Sequence, residues 1–447
     1  MPDRDDLVES YLAPIRARNS DEPEFLQAVE EVARDVVTVE KQHPEFARNK
    51  VLERLTEPDR LIRFRVVWQD DAGEVQVNRG WRVQTSNAIG PYKAGLRFHP
   101  SVNLSVLKFL GFEQVFKNAL TGLPLGGGKG GADFDPTGRS ESEVMRFCQA
   151  FMLELAHHIG PDHDVPAGDI NVSPREIGWL FGAYKKMQGR FHGAITGKGT
   201  AFGGSELRVE ATGYGLIYFV QAMLAERGRD LSGRRVAVSG KGNVATHAAE
   251  KAVQEGARVV TLSDTSGTLL APDGMGQEAI DWVRERKRAG EDIADPPGRL
   301  GLTFREGALP WEQEAEIALP CATQNEISGE AARSLIDGGC GLIAEGANML
   351  LTAEAAGLVQ EAGIDYAPGK AANAGGVAVS GLEMSQDAKG RFASGAEIDS
   401  ALRGIMAEIH GRAAIEGRDG ARIDYRRGAN IAGYRKVARA ICAFGVI

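Results

Sequence analysis

The sequence predicts an α/β protein of two domains around a cleft. Three observations lead there. The chain has 447 residues, more than a single hydrophobic core accommodates. Beyond residue 205, strand-like and helix-like runs alternate, which is the pattern of a parallel sheet with helices on both faces. In that same half, Gly240-Lys241-Gly242-Asn243-Val244-Ala245 forms a G-x-G-x-x-A fingerprint, placed after a strand and opening a helix. The expected architecture is an N-terminal α/β substrate domain followed by a Rossmann-like dinucleotide-binding domain.

Composition narrows the class. Hydrophobic residues make up 43% and charged residues 25%, as in a globular protein. A net charge of -9 and the lack of a long basic run argue against nucleic acid as a partner. Cys148, Cys321, Cys340 and Cys442 lie far apart, which suits neither a CxxC metal site nor a disulfide framework and points to reduced thiols in the cytoplasm. The acidic start, Met1-Pro2-Asp3-Arg4-Asp5-Asp6, lacks the apolar core of a signal peptide. No apolar run reaches membrane-spanning length.

In chain order, residues 20–50 read as one helix. Ser20 or Asp21 caps it, Pro23 lies in its first turn, and Phe25, Leu26, Val29, Val32 and Val36 recur at helical spacing. Runs 61–68 and 75–85 read as strands joined by a turn at Asp70-Asp71-Ala72-Gly73. A Gly- and Pro-rich loop is expected over 90–100, carrying Lys93 and Arg97. Residues 102–120 read as a helix on which Gln114 and Lys117, three apart, share a face.

Then comes the stretch around which the chain is organised, Leu123-Pro124-Leu125-Gly126-Gly127-Gly128-Lys129-Gly130-Gly131. Its glycines permit φ > 0 and close approach of a ligand. If Lys129 is enclosed, burial lowers its pKa and suits it to acid/base work; if it is solvated, the stretch is an ordinary turn. Leu123 and Gly130 occupy the positions where a P-loop needs Gly and Ser/Thr, which rules that motif out.

A helix over 141–159 follows, with Ser140 and Glu143 as a capping box. Residues 162–169 read as an acidic Pro/Gly loop. Ser173-Pro174-Arg175-Glu176 starts another capped helix. Gly203-Gly204-Ser205 suits a hinge, and Ala211-Thr212-Gly213-Tyr214-Gly215 opens a long apolar helix. Strands are expected over 235–239, 257–262, 317–319, 342–344 and 364–366, a helix over 243–255, and a helical end over 370–388, 396–415 and 430–444.

At the fingerprint, Gly240 makes the tight turn, Gly242 admits a pyrophosphate and Ala245 lets helix and strand pack closely. The second strand ends at Ser263-Asp264, where an acid favours the unphosphorylated ribose of NAD. Lys241 and the basic cluster Arg284, Arg286, Lys287, Arg288 favour a 2′-phosphate instead, so spacing alone leaves the cofactor open.

With these residues in view, the sequence resembles the hexameric glutamate dehydrogenases, especially the NADP-linked bacterial and fungal type. The likeness is carried by Gly90-Pro91-Tyr92-Lys93, the glycine–lysine stretch, Pro166-Ala167-Gly168-Asp169, residues 208–215 and 239–245, Pro320-Cys321-Ala322-Thr323-Gln324-Asn325-Glu326, Glu345-Gly346-Ala347-Asn348 and residues 373–384. It implies reversible oxidative deamination of L-glutamate to 2-oxoglutarate and ammonium, with NADP preferred to NAD, in a homo-oligomer of hexameric type.

The resemblance makes Lys129 the catalytic lysine and Asp169 the catalytic acid/base. It assigns Lys93 and Ser380 to the side-chain carboxylate, and Gln114 and Lys117 to the α-carboxylate. Arg208, Thr212, Ser239, Gly240, Gly242, Asn243, Val244, Asp264, Ala322, Thr323, Asn348 and Asn373 fall to the cofactor. No metal is implied. Residues 1–204, with 427–447 returning to them, are expected to form the substrate and oligomer domain, and 205–426 the cofactor domain. Ala94, Ala132, Met349-Leu350-Leu351 and Lys241 depart from the family pattern. The rivals are a dehydrogenase of leucine, valine or phenylalanine, to which Lys93 would be useless, and a catalytically dead dinucleotide-binding regulator.

Overall fold

The structure is a computed structural model that describes Arg4 to Ile447; Met1, Pro2 and Asp3 lie outside the described residues. The chain divides into two compact units. The first takes in the chain up to Arg208 together with Val377–Ile398 and Asn430–Ile447; the second is Val209–Gly376 with Asp399–Ala429. The expected unbroken cofactor segment 205–426 is therefore interrupted. Val377–Ile398 is drawn into the first unit because Glu383 and Asp387, on the helix Gly375–Lys389, both bind buried Lys198 at 2.8 Å.

The first unit holds a sheet of five strands: β1 (Arg60–Gln69), β2 (Val75–Ser86), β3 (Tyr92–Phe98), β4 (Gly127–Ala132) and β5 (Asp164–Gly168), in the order β1-β2-β4-β3-β5. β1 and β2 form the foreseen hairpin. Three stretches read as loops are strands instead. β3 lies between β4 and β5, parallel to both, so its backbone polar groups are taken up by the ladder. β5 tolerates Pro166 because it is the edge strand. β4 is the glycine–lysine stretch itself. Its glycines are there for proximity: a Cβ on Gly127 would fall 2.4 Å from Val115 Cγ2, and one on Gly130 would fall 2.7 Å from Leu96 Cδ2.

Against this sheet packs the helix Leu104–Leu120, capped by Asn103, whose side chain accepts from the Val106 amide. The helices Glu141–Leu155 and Pro174–Gln188 both begin with the expected capping boxes. They close a core in which Phe98, Phe134, Phe147, Phe151 and Trp68 meet edge to face or, for Phe134 and Phe147, stacked at 3.8 Å. The helix expected over 20–50 is broken into Pro23–Gln42 and Pro44–Arg48, because Pro44 has no amide to continue the ladder; a further helix, Val51–Leu55, starts after Lys50 turns left-handed at φ 51°.

The second unit holds seven strands: β6 (Arg235–Val238), β7 (Arg258–Asp264), β8 (Gly267–Leu270), β9 (Thr303–Glu306), β10 (Ile317–Leu319), β11 (Leu342–Ala344) and β12 (Asp365–Ala367), in the order β12-β11-β10-β6-β7-β8-β9. From β12 to β7 the sheet is parallel, as expected. β8 and β9 were not anticipated and run antiparallel at its end, because Asp264 and Gly267 close a tight turn back from β7. The helix expected over 370–388 is two, Gly369–Ala372 and Gly375–Lys389. Among the described residues, no helix is long and apolar enough to cross a membrane.

Candidate active site

Successive side chains of a strand alternate between faces, so Lys93, Gly95 and Arg97 of β3 share one. The parallel register sets Leu96 beside Gly130 and so brings Lys129 to that same face. Asp169 follows directly on β5, whose Ala167 pairs with Gly95. A Cβ at Gly95 would lie 2.7 Å from that of Asp169, so glycine is what lets the aspartate come in over β3. The outcome is a three-membered charge array. Lys129 Nζ lies 3.0 Å from Asp169 Oδ1, and Arg97 Nε donates to Asp169 Oδ2 at 2.7 Å.

Lys129 is 5% exposed. Burial lowers its pKa to about 8; Asp169 works against this and Arg97 adds to it. Burial raises the pKa of Asp169, yet Lys129 and Arg97 together hold it well below the ordinary carboxylate value, so it is anionic. Of the two readings open for Lys129, the enclosed one is correct. A lysine titrating near neutrality beside a fixed carboxylate can both take up and release a proton.

A second cluster in the same unit is built around Lys93. It is 1% exposed, and among the described residues no carboxylate comes within 4 Å of its ammonium. Burial, then Arg208 and Arg82, pull its pKa well down, while Glu383 and Asp164 oppose the shift. Arg208, which the resemblance assigns to the cofactor, lies beside this cluster: its Nε donates to buried Ser380 Oγ at 2.9 Å. Leu207 before it takes the left-handed conformation, φ 57°, a local cost that fixes where Arg208 starts. Glu383, one turn beyond Ser380, is held by Lys198 and by the Gly197 amide at 3.0 Å. Buried Arg82 and Asp164 pair with each other, and Gln84 donates to Asp164 at 2.9 Å, which fixes β5 against β2.

Gln114 and Lys117 lie half-buried on the helix Leu104–Leu120. Gln114 donates to Asn118 Oδ1 at 2.7 Å, and Asn118 donates to the Lys93 carbonyl at 3.0 Å, which ties this helix to β3. Sequence reading gave no role to Arg97 or Thr196. Reading 92–98 as a strand would have put Arg97 on the face of Lys93. Thr196, whose amide donates to the Pro166 carbonyl, has a buried hydroxyl with no hydrogen-bond partner, which only the structure reveals.

In the second unit, Gly240 turns at φ 85° and Gly242 begins the helix Asn243–Gln254. No side chain caps that helix, and a Cβ at Gly242 would meet nothing within 4 Å. Open backbone at an uncapped helix start fits a pyrophosphate. Ala245 is fully buried, as close helix–strand packing requires, while Asn243 is exposed and Val244 half-buried. Ser239 donates to Glu326 at 2.9 Å and accepts from the Cys321 amide at 2.8 Å, binding the turn to the segment that holds Ala322 and exposed Thr323. Burial raises Glu326 to about 7, against the hydrogen bonds from Ser239 and the Ala322 amide. Asn373 donates to Asn348 at 3.1 Å, and Thr212 lies in the first turn of the helix Ala211–Glu226.

Asp264 closes β7. It accepts from Lys241 at 2.7 Å, from the Ser266 amide at 2.9 Å and from the Ile293 amide at 3.2 Å. In the basic cluster, Arg284 is tied to Glu250 and Asp281, and Arg286 to Glu291 and Asp292. Lys287 donates to Asn243 Oδ1 at 3.0 Å and, among the described residues, has no carboxylate within 4 Å.

Residues 58–186 match the sequence profile "Glu/Leu/Phe/Val dehydrogenase, dimerisation domain", and residues 203–445 match "Glutamate/Leucine/Phenylalanine/Valine dehydrogenase". The chain is 53% identical to an NADP-specific glutamate dehydrogenase of Psychrobacter, over 98% of this chain and 99% of that one. It is 55% identical to an NAD-specific glutamate dehydrogenase of Bacteroides fragilis, over 98% of this chain and all of that one. A crystal structure of Plasmodium falciparum glutamate dehydrogenase superposes with a TM-score of 0.96 at 43% identity, covering 99% of this chain and 96% of that one.

Proposed function

The chain belongs to the glutamate/leucine/phenylalanine/valine dehydrogenase family, and on that premise we infer that it is an NADP-dependent glutamate dehydrogenase. Its reaction is the reversible oxidative deamination of L-glutamate to 2-oxoglutarate and ammonium. The observation that carries the substrate is Lys93. A fully buried ammonium without a near carboxylate is costly in an apo protein and pointless beside an apolar side chain. A substrate carrying its own second carboxylate supplies the missing partner, and Ser380 and Arg208 add donors beside it.

Lys129 and Asp169 are the acid/base pair. In deamination, neutral Lys129 takes the proton of the water that attacks the imino carbon, and Asp169 exchanges a proton with the substrate nitrogen. Gln114 and Lys117 hold the α-carboxylate. The cofactor, when bound, would accept the hydride as NADP+ in deamination and supply it as NADPH in the reverse direction. Lys287, which among the described residues has no carboxylate within 4 Å, would hold its 2′-phosphate, and the Gly240–Gly242 turn would hold its pyrophosphate. Thr212, Ala322, Thr323, Asn348 and Asn373 line the rest of the cofactor site. The first unit is the substrate and oligomer domain and the second the cofactor domain.

Assembly into a hexamer draws support from the profile matched over residues 58–186 and from Leu61, Val67, Val75 and Val77, apolar side chains exposed on β1 and β2. The free cysteines agree with a cytoplasmic protein.

The test is nicotinamide oxidation with 2-oxoglutarate and ammonium, NADPH and NADH side by side. The 2-oxo acids of leucine, valine and phenylalanine replace 2-oxoglutarate in parallel. Turnover with 2-oxoglutarate alone, faster with NADPH, is expected. Faster turnover with NADH would overturn the cofactor reading, and turnover with an apolar 2-oxo acid would overturn the reading of Lys93.

A further inference from the structure

We propose that Lys241 sets the cofactor preference of this chain by neutralising Asp264, not by holding the phosphate itself. The proposal rests on the NADP reading above. An acid at the end of the second strand of this fold ordinarily accepts the ribose 2′-hydroxyl and repels a 2′-phosphate. Here that acid is fully occupied. Asp264 Oδ1 accepts from the Ser266 amide at 2.9 Å and from Ser266 Oγ at 2.5 Å. Oδ2 accepts from Lys241 Nζ at 2.7 Å and from the Ile293 amide at 3.2 Å. Four donors use up the roughly four acceptor positions of a carboxylate. A ribose hydroxyl would have to displace one of them.

Lys241 is itself fixed. Its ammonium donates also to the Glu291 carbonyl at 2.7 Å, so two contacts hold it on Asp264. The carboxylate keeps 5% of its side-chain surface, and the lysine keeps 25%. With Lys241 in place, the acid presents neither a free lone pair nor an uncompensated charge. Among the described residues of the basic cluster, Arg284 and Arg286 are already paired with acids while Lys287 and Arg288 are not, and of these two it is Lys287 that reaches the fingerprint, at Asn243. Lys241 stands between the two fingerprint glycines, a position where a small residue is the simpler choice for a phosphate turn, so its side chain is there for a purpose other than the turn.

Four variants decide the matter: Lys241→Met, Lys241→Arg, Asp264→Asn and the double variant Lys241→Met/Asp264→Asn. Two quantities are read. One is kcat/KM for NADPH divided by kcat/KM for NADH; the other is the ratio of Kd values for 5′-AMP and 2′,5′-ADP. Lys241→Met is expected to lower both ratios by about tenfold or more, because it leaves a bare carboxylate facing a phosphate. Lys241→Arg should keep them near the wild-type values. In the double variant, removal of the acid should restore most of the loss, which is the signature of a residue acting through another. Unchanged ratios in Lys241→Met would overturn the proposal. A double variant no better than Lys241→Met would also overturn it, by showing direct contact with the phosphate. If the wild type itself favours NADH and 5′-AMP, the NADP reading fails, and the change from wild type to Lys241→Met still decides the role of Lys241.

Discussion

Replacing Arg97 by methionine should move the pH dependence of the reaction upward, although Arg97 need not touch the substrate. Arg97 and Lys129 bind opposite oxygens of Asp169, at 2.7 and 3.0 Å. Two cations sharing one carboxylate stand about 6 Å apart, and at an effective dielectric near 20 their repulsion is about 3 kcal/mol, or roughly two pKa units. The side chains of Arg97 and Asp169 keep 19% and 25% of their surface in solvent, which screens the interaction. Halving the figure leaves a shift of about one unit. Since Arg97 lowers the Lys129 pKa, its loss raises it, from about 8 toward the ordinary lysine value. In the mechanism proposed above, neutral Lys129 is the active form in deamination. The rising limb of kcat/KM for glutamate against pH should therefore move up by about one unit, after correction for the titration of the substrate ammonium. Arg97→Lys keeps the charge and should leave the limb nearly in place. A limb that stays at its wild-type position in Arg97→Met, or moves down, would refute the electrostatic reasoning for this array.

Three further expectations concern stability and binding. Lys93→Met should raise the thermal midpoint of the apo protein, because removing an unpaired buried cation is worth about 1–2 kcal/mol, while the KM for 2-oxoglutarate rises about 100-fold; calorimetry and steady-state kinetics on the same preparation check both halves. Lys198→Met should cost about 3–5 kcal/mol, since it strands the buried carboxylate of Glu383, and Glu383→Gln in that background should recover part of the loss in denaturant titration. Gly127→Ala should destabilise by about 1–3 kcal/mol or more, because the added methyl would lie 2.7 Å from the Val115 backbone nitrogen, which cannot move without shifting its helix; its thermal midpoint measures this.

The parts of the fold that could be read in advance are those whose signals are local. The capping boxes at Ser140 and Ser173 satisfy their own helix ends, and the Gly240 fingerprint needs only its strand and helix. The glycine–lysine stretch resisted because its glycines answer to tertiary neighbours: Val115 from the helix above and Leu96 from the next strand. Nothing within residues 123–131 distinguishes that need from a flexible turn. β3 and β5 were obscured in the same way, since proline and glycine weaken a strand signal even where an edge position or a passing side chain explains them. Lys129 and Asp169 were legible as candidates through the family likeness, and the structure adds their pairing and the presence of Arg97. The bond from Arg208 to Ser380 was not legible, because the two residues lie far apart along the chain.

The three-part make-up of the first unit bears on how the protein is made. Lys198 is buried against Glu383, Asp35 accepts from Asn430 at 2.8 Å, and Glu40 accepts from Tyr434. During synthesis, residues up to 208 emerge long before any of these partners exists, and the whole of Val209–Gly376 follows before the first of them appears. The nascent first unit thus lacks the later-made partners of Lys198, Asp35 and Glu40 while the second unit, the larger part of it continuous in sequence, is free to collapse. Contacts that span so much chain are slow to close and leave apolar surface open meanwhile. A ribosome-bound chain halted after residue 376 should accordingly be cleaved by protease within its first 208 residues, and become resistant there only once the helix Tyr425–Phe444 has been made.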